Sequence, residues 1–140
     1  MAAIALVDDV RICRLPIRQA LERVGHRVWE PEPTSIFDVM ASLRAGRPDL
    51  VITDLEMPGC PGVSLIRSIR EDPVLGDTPI LVVSSHSDDE MILGLSRQNI
   101  QGFLVKPVRA RQVLITATAI LDGQVLEGEG EPLALRQALG

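Results

Sequence analysis

Apolar residues along this chain fall into two alternating periods. Ile4-Ala5-Leu6-Val7, Leu50-Val51-Ile52 and Ile80-Leu81-Val82-Val83 are short continuous runs, each soon met by an acid or a Ser. Runs of that length and composition predict buried strands. Between them apolar residues recur at i, i+3, i+4 and i+7, which predicts helices packed along one stripe. The first helix is expected to start around Leu15, because Pro16 is tolerated only near a first turn. Its stripe is Ile17, Ala20, Leu21 and Val24, and Gly25 suits the position just past its end. Residues 26–30 predict a less apolar edge strand, stopped by Pro31 and Pro33. Ser35 caps a second helix, with Asp38 three residues on and Ile36, Val39, Met40 and Leu43 inward; Gly46 closes it.

Residues 49–54 form the central strand, which runs into Asp54 and then the turn Pro58-Gly59. A third helix over 63–71 turns Ile66 and Ile69 inward. After the breaks at Asp72-Pro73 and Gly76-Asp77 comes the strand at 80–83, with Ser84 and Ser85 at its end. Ser87-Asp88-Asp89-Glu90 is a capping box for a fourth helix, through about Gln98, with a weaker stripe of Met91, Ile92 and Leu95. Gly94 inside it costs about 1 kcal/mol relative to Ala. Gly102-Phe103-Leu104-Val105 is the fifth strand, ended by Lys106-Pro107. The fifth helix covers 109–121 with Val113, Leu114, Ala117, Ile120 and Leu121 inward. Strand starts recur at roughly 20 to 30 residues, the spacing of βαβ crossovers and a parallel sheet covered on both faces. The expected layout is one domain over 1–122 and a linker-like tail over 123–140, with a short helix at 133–139.

Composition narrows the function classes. Hydrophobic residues make up 46% of the 140, enough for a globular core. Aromatics are 2% with no Tyr, so the core is aliphatic and base stacking has few platforms. The net charge of −5 disfavours direct nucleic-acid binding. No apolar run approaches the roughly 20 residues of a membrane span, and the N-terminus lacks a signal peptide's basic start. Cys13 and Cys60 have neither metal spacing nor a disulfide framework. A cytoplasmic protein with two free thiols is the expectation.

The residues that follow the strands carry the chemistry. Strand one delivers Asp8 and Asp9, strand three Asp54, strand four Ser84 and strand five Lys106. In a parallel sheet these ends share one edge, where ligands bind. Three carboxylates in one crevice repel, and a hard divalent cation such as Mg²⁺ relieves that with oxygen ligands and retained water. A metal, an ammonium and a hydroxyl around one carboxylate suit a phosphoryl group, with Asp54 as its acceptor. Lys106 is the sole Lys beside thirteen Arg. A compact charge on a flexible stem fits beside a phosphoryl oxygen where a planar fork does not.

Together, Leu6-Val7-Asp8-Asp9, Asp54-Leu55-Glu56-Met57-Pro58-Gly59 with Gly62, Pro79 through Ser84, and Lys106-Pro107 resemble the receiver domain of two-component response regulators. The match spans residues 4 to about 121. It implies a stand-alone, flavodoxin-like, doubly wound α/β fold, with five parallel strands in the order 2-1-3-4-5 and five helices. It implies Asp54 as phosphoacceptor from a histidine kinase or histidine phosphotransfer protein, with no enzymatic turnover beyond self-phosphorylation and self-dephosphorylation. Asp8, Asp9, Asp54 and the backbone carbonyl of Glu56 would hold Mg²⁺. Lys106 would pair with the phosphoryl oxygens, Ser84 would be the switch hydroxyl and Phe103 the switch aromatic. Glu56 and His86 would tune phosphoryl lifetime. The fourth helix, fifth strand and fifth helix would select an unknown downstream protein, or a second copy in a homodimer. Ser85, Pro61, Asn99-Ile100 and Phe103 depart from the family's usual pattern without removing a group that phosphotransfer needs.

Blander readings compete. Phe103 also suits plain core packing, His26 a surface strand entry, Cys60 a buried free thiol, and Asp88-Asp89-Glu90 the helix dipole. A phosphatase of haloacid-dehalogenase type also uses an aspartyl nucleophile with Mg²⁺. It wants a second acid two residues later, where Asp54-Leu55-Glu56 offers a Glu. A flavodoxin-like cofactor binder would need a phosphate loop after strand one, which this sequence lacks. A receiver that works unphosphorylated sits poorly with intact acids and Lys106.

Overall fold

In a computed structural model of the chain, residues 1–85 and 89–123 are described, without the side chains of 89–92. Five strands alternate with five helices: β1 Ala3–Val7, α1 Arg11–Arg23, β2 Arg27–Trp29, α2 Ile36–Gly46, β3 Leu50–Thr53, α3 Gly62–Glu71, β4 Ile80–Ser84, α4 Asp89–Ser96, β5 Gly102–Val105 and α5 Ala110–Leu121. All pairings are parallel and the order is β2-β1-β3-β4-β5. This is the expected doubly wound sheet, with β2 at an edge.

Strand side chains alternate between two cores, as the pleat requires. Ile4 and Leu6, Leu50 and Ile52, Leu81 and Val83 pack with Ile17 and Leu21 of α1 and with Val113, Ala117 and Ile120 of α5. Ala5 and Val7, Val51, Ile80 and Val82 pack with α2, α3 and Leu95 of α4. A sheet covered on both faces needs apolar residues at every strand position, hence the continuous runs in the sequence.

The first helix departs from expectation. It begins at Arg11, not near Leu15, so Pro16 lies inside it. Val10 supplies no side-chain cap, but its carbonyl accepts from the N–H groups of Cys13 and Arg14. An interior proline costs about 3 kcal/mol; the extra turn places Arg14 on the buried stripe with Ile17 and Leu21. Val24, expected inward, is exposed instead, because α1 ends at Arg23 and Val24 is its cap. Leu114 and Leu121 are only half-buried, and Thr116 is buried in their stead.

Ser35 caps α2, its Oγ accepting from the Asp38 N–H at 3.0 Å. Gly46 is helical rather than the left-handed stop, which is Arg47 at φ 47°. What demands glycine there is packing: a Cβ would stand 2.3 Å from the Trp29 ring. The capping box at Ser87, His86 and the tail helix over 133–139 lie outside the described residues, as do the Met91 and Ile92 side chains.

Candidate functional site

The strand order brings distant acids together. β1 and β3 are neighbours at the centre of the sheet, and the Asp54 N–H donates to Val7 O at 3.0 Å, which locks the two strand ends side by side. Asp8 and Asp54 are buried, at 5% and 7% exposure, while Asp9 is exposed. Carboxylate oxygens of the three lie within 4.8 Å of one another. The chain crosses from this centre in opposite directions, to β2 one way and to β4 and β5 the other, so the crevice is a topological switch point.

Each buried acid is aimed by backbone donors. Asp8 Oδ1 accepts from the Val10 N–H at 2.9 Å. Asp54 Oδ1 accepts from Leu55 N–H at 2.6 Å and Glu56 N–H at 3.2 Å. Gly62 holds the following loop down: its N–H donates to Leu55 O at 2.9 Å, and a Cβ would come within 2.3 Å of Asp54 O. Leu55, Met57 and Cys60 anchor the same loop in the core, and burial pushes the Cys60 thiol up. The Glu56 side chain is exposed.

Lys106 closes the crevice from β5. Its Nζ lies 3.0 Å from both Asp8 Oδ2 and Asp54 Oδ2. Burial pulls its pKa down, but the hydrogen bonds to Asp54 and Asp8 outweigh that and hold it above the usual lysine value. The side chain reaches across the end of β4, where the small, fully buried Ser84 stands. The Lys106 N–H donates to Ser84 O at 2.8 Å, and the Lys106–Pro107 bond is cis. One ammonium against three carboxylates leaves two negative charges uncompensated. An all-oxygen donor set of that spacing and charge fits a small divalent cation that keeps some water.

The structure thus gathers Asp8, Asp9, Asp54, Ser84 and Lys106 at one edge. Phe103 is fully buried in the core on the α2–α3 side. His86 is outside the described residues. The sequence reading missed Arg14, which is 5% exposed and lies near Glu30. Its spacing from Ile17 and Leu21 was the available signal, hidden by the late start assigned to the helix.

Comparison with known proteins agrees with this geometry. The model of the response regulator receiver domain matches residues 4–118. Protein PilH of Pseudomonas aeruginosa is 31% identical over 123 residues, covering 88% of this chain and all of that protein. Chemotaxis protein CheY-3 of Vibrio cholerae is 30% identical over 107 residues, 76% of this chain and 82% of that one. The solved structure of the chemotaxis response regulator CheY4 of Vibrio cholerae superposes with a TM-score of 0.77 at 25% identity, covering 86% of this chain and 98% of that one. A CheY-like receiver domain protein from Methanospirillum hungatei reaches 0.79 at 21% identity, covering 91% and 99%, a likeness of fold. With its strand order, its acidic crevice and these matches in agreement, the chain belongs to the response regulator receiver family.

Proposed function

We propose that Asp54 accepts a phosphoryl group from the phosphohistidine of a histidine kinase or phosphotransfer protein, and that the phosphorylated form controls a partner protein. The observation that carries this is the Lys106 Nζ held 3.0 Å from both Asp8 and Asp54. Once a divalent cation offsets the two uncompensated negative charges, this ammonium stands ready to meet a phosphoryl oxygen at Asp54.

Asp54 supplies the nucleophilic carboxylate oxygen. The donor's P–N bond breaks as the O–P bond forms; the electron pair stays on the imidazole, which takes up a proton from solvent. The backbone N–H groups of Leu55 and Glu56 hold the carboxylate in orientation. Lys106 moves from a carboxylate pair to a phosphoryl oxygen with little displacement. Asp8, Asp9 and Asp54, with the Glu56 carbonyl, would hold Mg²⁺, which supplies positive charge beside the phosphoryl oxygens. The Ser84 carbonyl at the end of β4 accepts from the Lys106 N–H; we assign the Ser84 hydroxyl the switch contact and Phe103 the switch aromatic. Glu56 and His86 are assigned to phosphoryl lifetime. The output surface is α4, β5 and α5, open to a partner or to a second copy. Residues 1–122 are assigned to the receiver, with 123–140 following as a tail.

The test is incubation with acetyl phosphate and Mg²⁺, read by intact mass. The wild type should gain one phosphoryl group, labile to hydroxylamine, and Asp54→Asn should gain none. An Asp54→Asn protein that still gains a phosphoryl group sinks the assignment. Steady turnover of p-nitrophenyl phosphate would favour a phosphatase instead.

A further inference from the structure

A groove between α1 and the edge strand β2 lies apart from the acidic crevice. It encloses about 620 Å³, a size suited to a small molecule. Arg11, Arg14 and Arg18 enter it from α1, with Glu30 and Glu32 facing them from beyond β2. With Glu22 also on Arg18, three guanidiniums meet three carboxylates, so it is the placement of Arg14 and not a net charge that singles out this groove.

The floor of the groove is short of acceptors. Arg14 is 5% exposed, and its Nε and Nη1 are the buried side-chain polar atoms without a hydrogen-bond partner among the described residues. Its Nε approaches Glu30 Oε1 at 3.3 Å, but Glu30 Oε2 is taken by Arg18, which also pairs with Glu22. One carboxylate therefore serves two guanidiniums. Leaving buried donors unmade is unfavourable, and an anion with two oxygens matches the guanidinium fork. The walls are apolar: Ile12 is 80% exposed, Leu15 53%, and the Trp29 ring borders the same space. Trp29 is held in place, its Nε1 donating to Ser42 Oγ at 3.2 Å.

We propose that this groove binds a small amphiphilic anion, a carboxylate or phosphate head on an apolar body. The head takes Arg14 while Glu30 keeps Arg18. The body lies along Ile12, Leu15 and Trp29. One under-satisfied guanidinium at the floor favours a ligand that ends in a charged head over a flat protein face. The site goes beyond the phosphoacceptor reading and does not depend on it.

Trp29 is the only Trp and the chain has no Tyr, so its emission reports the surroundings of one ring, of which the groove is one side. Titrate the full chain with sodium octanoate and with octyl phosphate below their micelle concentrations, and with octylammonium as the cationic control. A saturable change with either anion and none with octylammonium is expected; the responding head distinguishes a carboxylate from a phosphate ligand. Arg14→Met and Leu15→Glu should each weaken binding about tenfold or more. Leu15 is exposed, so Leu15→Glu decides the matter if Arg14→Met fails to fold. No saturable response to either anion, an equal response to octylammonium, or unchanged affinity in folded Leu15→Glu overturns the proposal.

Discussion

Lys106 stands between two carboxylates that would otherwise face each other across a few ångströms of low-dielectric space. Both acids are held by backbone N–H groups, so neither can swing away to escape the repulsion. Truncating the lysine removes a charge-assisted contact to the carboxylate proposed to take the phosphoryl group, about 1.5–3 kcal/mol. Lys106→Ala should therefore slow phosphorylation of Asp54 by acetyl phosphate about tenfold or more. Lys106→Arg should rescue it poorly, since a planar fork does not reproduce a point charge shared by two oxygens. A rate within twofold of wild type in Lys106→Ala would show that the ammonium is a structural pair alone. Much of this was legible from one residue: an isolated Lys among thirteen Arg, directly after an apolar run. The two 3.0 Å contacts were not, because no sequence spacing predicts where a flexible four-carbon stem points.

Among the elements, α2 and α3 are tied by an ion pair outside the site. Asp72 ends α3; its Oδ1 accepts from Val74 and Leu75 N–H groups, and its Oδ2 accepts from Arg44 Nε of α2 at 2.6 Å. The hydrogen bond from Arg44 holds the Asp72 carboxyl below its ordinary value of 3.8, with the two backbone donors adding to it. A depressed carboxyl pKa contributes stability above the unfolded value, and that contribution is lost as pH falls through the folded one. Asp72→Asn should lower the urea midpoint most at neutral pH, and its deficit should shrink below about pH 4. Urea titrations at pH 7 and pH 3 check this; a deficit independent of pH would mean that lost packing, not charge, is responsible. Helix starts show the limits of local signals in the same way. Ser35 announced α2 through its side chain, whereas Val10 begins α1 with backbone bonds alone. Pro16 argued for a late start, but α1 begins at Arg11 with Pro16 inside it.

At the scale of the whole molecule, the acidic crevice gathers like charges whose repulsion a bound cation would relieve. Any ligand that binds only the folded state stabilises it, by about 2.7 kcal/mol at a hundred times its Kd. Mg²⁺ should therefore raise the thermal midpoint by several degrees in saturating amounts, about what that free energy yields for a domain of this size. Asp9→Asn should abolish most of the rise while leaving the metal-free midpoint equal or higher, because Asp9 is exposed and removing its charge eases the repulsion. A Mg²⁺ effect unchanged in Asp9→Asn would place the cation elsewhere. Among the described residues no helix is long and apolar enough to cross a membrane.

The residue order alone determined the alternation of strands and helices, the aliphatic two-faced sheet, and the run of acids, hydroxyl and lysine at strand ends. Those are local properties: hydrophobic period, turn residues and side-chain chemistry act over a few neighbours. Tertiary structure decided what depends on distant parts meeting. It set Asp8 and Lys106, 98 positions apart, 3.0 Å from each other. It set Gly46 against the Trp29 ring, so that a Cβ there would force the ring to move. It buried Arg14 beside an over-shared Glu30. Each of these outcomes is a matter of packing between elements, and packing is felt only once the chain has closed on itself.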